Sequence, residues 1–298
     1  MVGDPRWLIA RMYVTLGLIE YAKRDLSWIV NEGLKKGFNM FILPEPADDD
    51  PYLYLKTLKS INVDKPLYIK SNPKIRVFAG LNADPFIVLS DEPAVKKIND
   101  YWRLNLIRLR GLWVICMRNS IIWDNKQKYC VENLKIDNCV LSMTPLPGDL
   151  DGMPERLRTK ECKFESHIAF EQGGVKDFSI INSTVCDNKD KAVAKYFIRY
   201  NNSARLDRYG YDKDKDFQTM TYKNNTFYGM LNADGQWGNY NGISGQKYSK
   251  FDIEKNIWYN CGKDIIRRLA GGRFGDGAPV KFFQNTYVND GEILDESG

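Results

Sequence analysis

The sequence predicts an all-β solenoid: a right-handed parallel β-helix with an amphipathic helix capping its N-terminal end. Two observations carry this. A short apolar pattern recurs along residues 115–287, and a stretch of helical period precedes it. The recurrence is anchored on Ser120, Cys139, Cys162, Ser183, Asn225, Asn256 and Asn285. Two residues after these stand Ile122, Leu141, Phe164, Val185, Phe227, Trp258 and Tyr287, all apolar. Five residues before them stand Ile115, Leu134, Leu157, Phe178, Met220, Phe251 and Val280, again all apolar. Three residues before, all but Thr159 are apolar. The intervals run from 19 residues (Ser120 to Cys139) to 42 (Ser183 to Asn225), a period at which a unit buries its apolar face only against its neighbours.

Side chains alternate along a strand, so an unbroken strand would send the two apolar pairs to opposite faces. A bend between them returns both to the interior. The residue just before the anchor is Asn119, Asn138, Asn182 or Asn224 in four units, and Asn tolerates the left-handed backbone such a bend needs. Each unit therefore reads as strand, tight bend, strand, with the anchor residues stacked in a column. Leucine-rich repeats share the period, but their leucine consensus is missing and β-branched and aromatic residues dominate.

The elements follow in order. Residues 16–37 carry Leu18, Ala22, Leu26, Ile29, Val30 and Leu34 at helical spacing, with Gly37 as the stop. A solenoid's first rung has an open edge, so this helix is expected to cover it, with Leu26, Ile29 and Val30 inward. The apolar segment Phe38–Leu43 reads as a strand and Pro44–Pro51 as a break. Leu67–Lys70, Ile75–Phe78 and Phe86–Leu89 read as early rungs. Asn201–Asp216, Asn232–Gln246, Ala270–Ala278 and Met143–Glu155 read as insertions between rungs. The division is a cap over 1–45, a β-helix over 46–291 and a polar tail over 292–298, all one structural domain.

Composition narrows the classes. The 298 residues hold 43 basic and 38 acidic side chains, a net charge of +5 that is too mild to argue for nucleic acid. No stretch approaches the length of a membrane span. The beginning of the sequence shows no secretion signal. Six cysteines offer no paired spacing and no CxxC zinc framework, so Cys116, Cys139, Cys162 and Cys186 read as packed thiols. The chain is expected to be a monomer.

The segments Asn224–Tyr228, Glu254–Gly262 and Gln284–Gly291 resemble the closing rungs of the pectate-lyase-like β-helix proteins. Within them the chain most nearly resembles the surface β-helix proteins of polysaccharide-utilising bacteria. Pro66–Lys70, after a helix and a strand, is similar to their opening rungs. The likeness covers roughly 16–291. It implies a protein outside the cell or on its surface that engages polysaccharide, either as a lyase or as a non-catalytic binder or scaffold.

Candidate site residues come from three patterns. Arg108, Arg199 and Arg267 each follow an Ile in a strand-like phrase, Leu106–Leu109, Phe197–Tyr200 and Ile265–Leu269. On one outer face they would grip the carboxylates of an acidic polysaccharide. In a lyase, one base removes the proton beside the sugar carboxylate while a second cation stabilises the enolate-like charge. The same arginines would equally serve to solvate a strand face and pair with acids. Asp212, Asp214 and Asp216 alternate in a loop and would suit calcium, but Phe217 stands where an EF-hand needs Gly, so a solvated loop is the plainer reading. Trp237 and Tyr240 in a Gly/Asn-rich stretch would stack on sugar rings, or else pin that loop to the solenoid. His167, the single histidine, has no nucleophile motif beside it and reads as a packed or surface side chain. The Asp-His and Arg-x-Pro-x-x-Arg signatures of well-known pectate lyases are missing, so no catalytic residue is assigned.

Overall fold

The structure is a computed structural model. It describes residues 9–11, 25–43, 54–71, 75–79, 85–89, 97–98, 101–116, 121–124, 129–142, 166–170, 174–186, 196–200, 210–212, 219–229, 233–237, 250–259, 261, 266–268, 280–289 and 292–294.

The bend organises everything else. Asn138, Asn182, Asn224, Lys255 and Gln284 all have positive φ, between 50° and 55°, and Gly111 has φ 66°. Each turns a strand of one sheet into a strand of the next without breaking the ladder. Asn182 N donates to Lys223 O at 3.0 Å and Thr184 N to Cys139 O at 2.8 Å, and the same two bonds recur in the next rungs. The backbone therefore stays paired through the corner.

Among the described residues, three sheets result, and the strand counts are of those residues. Sheet A has ten strands. It runs from Ile9–Arg11 through Met40–Ile42, Leu67–Lys70, Tyr101–Arg110, Tyr129–Asp137, Gly174–Ile181, Thr219–Lys223 and Lys250–Glu254 to Val280–Phe283, with Lys97–Ile98 antiparallel at its side. Sheet B has nine, from Tyr54–Lys56 to Thr286–Asn289, closed by an antiparallel strand Glu292–Leu294. Sheet C has seven, from Ile61–Val63 to Ile266–Arg268. The chain visits A, B and C in turn, as in Thr219–Lys223, Thr226–Tyr228 and Ala233–Trp237. This is an all-β solenoid of parallel sheets with one described helix.

The column forms at five anchor positions: Cys139, Ser183, Asn225, Asn256 and Asn285. They are linked over sequence separations of 44, 42, 31 and 29 residues. From Ser183 onward, each anchor side chain accepts from the backbone N of the anchor one rung earlier, for example Asn225 N to Asn256 Oδ1 at 3.1 Å. The Asn side chains also bond one another, Asn225 Nδ2 to Asn256 Oδ1 at 2.9 Å and Asn256 Nδ2 to Asn285 Oδ1 at 3.0 Å. The amide nitrogens of the three asparagines also donate to the carbonyls of Ile180, Tyr222 and Ile253. The residues two further on, Leu141, Val185, Phe227, Trp258 and Tyr287, are all buried.

The other two anchors, Ser120 and Cys162, lie outside the described residues. Ile122, two residues after Ser120, lies in sheet C and pairs with Ile87 and Ile168. The corner position in that rung is Leu112, after Gly111. An apolar-x-apolar phrase looks the same ahead of any strand, and only pairing tells the corners apart. Glu292–Leu294, read as tail, contributes a strand.

The helix spans Leu26–Lys35, a shorter element than 16–37, and residues 16–24 lie outside the described part. Asp25 caps it, accepting from Ser27 N at 3.0 Å. Its C-terminus is a Schellman turn: Gly37 N bonds Leu34 O and Phe38 N bonds Gly33 O, with Gly37 at φ 89°. Leu26 and Val30 are fully buried while Ile29 is half-buried. The helix also bonds the first strand of sheet C and the turn that leads into it from sheet B. Asp25 Oδ1 accepts from Leu58 N, Ser27 Oγ from Lys59 N, and Asn31 bonds both Ser60 O and Asn62 N. Edge backbone that would template aggregation is thus occupied by side chains of the cap. One apolar cluster runs from Leu26 to Tyr287, so cap and rungs form a single core.

Candidate functional site

The three arginines do not share a face. Arg108 lies on Tyr101–Arg110 of sheet A, whereas Arg199 on Tyr196–Tyr200 and Arg267 on Ile266–Arg268 lie in sheet C. This corrects the sequence expectation. The repeated phrase marks a strand, but the sheet it joins depends on the connection after it. Arg108 is three residues before the corner glycine Gly111, while the next sheet-A strands after Arg199 and Arg267 begin only at Thr219 and Val280.

Sheet C does bring Arg199 and Arg267 into one column. Arg199 pairs with Gln236, and Gln236 pairs with Arg267. Neighbouring strands are about 4.8 Å apart, so the two arginine backbones stand roughly 10 Å apart along the axis. Trp237 sits one position on, in the strand Ala233–Trp237 rather than in an insertion, in register with Tyr200 and Arg268. Tyr200 is in turn in register with Phe170, which is fully buried. Tyr240 lies outside the described residues.

Arg108 has a different setting. Its Nη2 stands 3.7 Å from Asp137 Oδ2, and its guanidinium lies 4.9 Å from the Tyr68 ring centroid. The same carboxylate oxygen is 3.2 Å from Arg110 Nε. Arg108 thus stands on the outer face of sheet A beside an acid that it shares with Arg110.

Asp212 is exposed, and Asp214 and Asp216 lie outside the described residues. Among the described residues no three His, Cys, Asp or Glu groups gather as a metal set. Calcium therefore rests on the sequence pattern alone.

Sequence reasoning passed over the residue next to Asp212. Tyr211 is 6 % exposed and docks against sheet A. Its hydroxyl donates to Glu132 Oε1 at 3.1 Å, and the Arg103 guanidinium lies 3.8 Å from its ring centroid. Arg103 Nη2 also pairs with Glu132 at 2.7 Å, and Lys176 Nζ is 5.5 Å from the Tyr211 ring. Burial, then Cys130 and Glu132, push the Tyr211 hydroxyl far above its ordinary range, so it stays a neutral donor. Burial likewise pushes the Cys130 thiol up, which keeps it an inert thiol. This cluster pins the connection between Tyr200 and Thr219 to the solenoid. Its signal was an aromatic between Gly210 and a charged run, which one strand's periodicity does not expose.

The histidine is packed. His167 is fully buried, its Nε2 3.4 Å from Cys186 O and its ring centroid 6.1 Å from that of Phe197. The described cysteines, Cys116, Cys130, Cys139, Cys186 and Cys261, are buried thiols, and no disulfide joins them. No described helix is long and apolar enough to cross a membrane. No protein-family model, curated protein or solved structure matches this chain.

Proposed function

We propose that the solenoid is a right-handed parallel β-helix of the pectate-lyase-like kind that engages an acidic polysaccharide outside the cell. The winding is supported by topology: parallel strands joined by crossovers are right-handed in about 98 % of cases. The ligand class is supported by one observation, the Arg199–Gln236–Arg267 column of sheet C. Guanidinium groups on a rigid strand ladder suit carboxylates that recur along a polymer. The long connections 201–218, 238–249 and 269–279 leave sheet C directly after these strands. Long connections on a rigid scaffold are where binding surfaces are built.

The same pair supports a lyase as the second reading. In β-elimination a base takes the proton beside the sugar carboxylate, the glycosidic C–O bond breaks, and a carbon–carbon double bond forms. A neighbouring cation stabilises the intermediate charge. Binding and catalysis separate readily, since elimination leaves an unsaturated uronide absorbing in the near ultraviolet.

The test is binding of polygalacturonate and of neutral dextran to the native chain and to Arg199→Gln/Arg267→Gln. Polygalacturonate should bind more tightly, less so as salt rises. The double variant should lose roughly tenfold in affinity, about 1.4 kcal/mol, and Arg199→Lys should recover only part of the effect of Arg199→Gln. Equal affinity for both glycans removes the acidic-polysaccharide reading.

A further inference from the structure

Arg108, away from the arginines of sheet C, stands in a basic neighbourhood of its own. On the outer face of sheet A, Lys70 is in register with Arg110, and Arg110 with Asp137. Two positions earlier on that face, Tyr68 is in register with Arg108, and Arg108 with Lys135. Lys70, Arg110 and Lys135 are exposed, and the Arg108 side chain is 34 % exposed. At these two positions, three adjacent strands thus carry four described cations, Lys70, Arg108, Arg110 and Lys135, around the carboxylate of Asp137. Asp137 already contacts both arginines. Among the described residues, no ion pair reaches Lys70 or Lys135.

The other half of the face is different. Ser179 and Thr221 continue the Lys135 column without charge. Beyond them Lys223 pairs with Asp252 at 2.6 Å and with Glu254 at 3.3 Å, and Lys281 pairs with Glu254. Two cations there meet two carboxylates. Nearer the Tyr211 dock, Arg103 and Lys176 likewise have Glu132 and Asp177. Among the described residues, the excess positive charge of this face is therefore confined to its first rungs.

We propose that this patch, Lys70, Arg108, Arg110 and Lys135, is a second polyanion-binding site, on a different face from Arg199 and Arg267. Its ligand is a glycan carrying closely spaced carboxylates or sulfates. Rungs about 4.8 Å apart and alternate residues about 7 Å apart along a strand set the cations in a small planar grid. Such a grid meets several anions of one chain at once, and Arg108 is held in place by the Tyr68 ring. The proposal rests on its own residues, although it shares its ligand class with the sheet C reading.

The test uses the full chain with polygalacturonate, heparin as a sulfated glycan, dextran as the neutral control, and a double-stranded oligonucleotide. Lys70→Gln/Arg110→Gln/Lys135→Gln changes only exposed side chains, and its near-native melting temperature is checked first. Affinity for at least one acidic glycan should fall roughly tenfold or more, with a shallower salt dependence. Whether polygalacturonate or heparin is lost more identifies the anion. Asp137→Asn should instead tighten binding by about two- to fivefold, an effect that damage to the fold does not produce. Unchanged glycan affinity in the triple variant, or weaker binding in Asp137→Asn, overturns the proposal. So does a native chain that binds dextran equally or the oligonucleotide more tightly. Arg199→Gln/Arg267→Gln in parallel separates the faces: a loss there and none in the triple variant leaves sheet C standing and this site refuted.

Discussion

At the scale of the residue, the corner column is where sequence identity matters most. Asn256 is fully buried and its carboxamide is committed on both sides: Oδ1 accepts from Asn225 while Nδ2 donates to Tyr222 O and Asn285 Oδ1. A carboxylate of the same shape has no donor for those two acceptors. Asn256→Asp should therefore destabilise by about 3 kcal/mol or more at pH 7. The sign of its pH dependence follows from burial. A buried acid facing acceptors has a raised folded pKa, so the neutral form is the one the fold tolerates, and the penalty grows as pH rises above the unfolded value near 4. Urea melts at pH 4 and pH 7 should show the larger loss at pH 7; an equal loss would mean that Asn256 is not desolvated. Lys255 carries the opposite message. It occupies φ 55° where the three preceding corners of this kind use Asn138, Asn182 and Asn224. Lys255→Asn should raise stability by about 0.5–1 kcal/mol, read as a higher melting temperature, because Asn tolerates the left-handed region better.

At the scale of the element, the capping helix is fitted to the first rungs by a missing side chain. A Cβ on Gly33 would stand 2.5 Å from a ring carbon of Phe41, which is 1 % exposed. Two effects compete in Gly33→Ala. Helix propensity favours Ala by about 1 kcal/mol, while overpacking a tight contact costs about 1–3 kcal/mol. The ring is locked in the core, so the net result should be a loss, and a melting temperature that rises instead would show that Phe41 can move aside. Gly37 is a different case, with open space around it and φ 89°. There the constraint is the backbone conformation of the Schellman turn.

At the scale of the whole molecule, the solenoid has a protected beginning. The terminal strands of sheets B and C, Tyr54–Lys56 and Ile61–Val63, are bordered by the helix, whose side chains meet the backbone at Leu58, Lys59, Ser60 and Asn62. Deleting residues 1–37 should expose these edges and the core residues beneath, and the shortened chain should aggregate. Size-exclusion chromatography with a thermal melt checks this. A truncated chain that elutes as the parent does and melts at the same temperature would remove the capping role. The face of sheet A also has an uneven charge along its length, a property no single rung possesses.

The periodic sequence by itself determined the strand–bend–strand unit, the inward residues such as Phe227 and Trp258, and the left-handed Asn before the corners at Cys139, Ser183 and Asn225. These are local: alternation and a backbone preference act within a few residues, so they are written in the chain. The helix was legible for the same reason, although its start at Leu26 depended on Asp25 finding both Ser27 and Leu58. Only the tertiary structure decided which corner each unit occupies, and it gave Leu112 the place in the column that periodicity assigns to Ser120. It likewise separated Arg108 from Arg199 and Arg267, and gathered Lys70, Arg110 and Lys135 from three rungs. Sheet membership is set by hydrogen bonds between strands tens of residues apart, across connections of unequal length, and no local phrase encodes that distance.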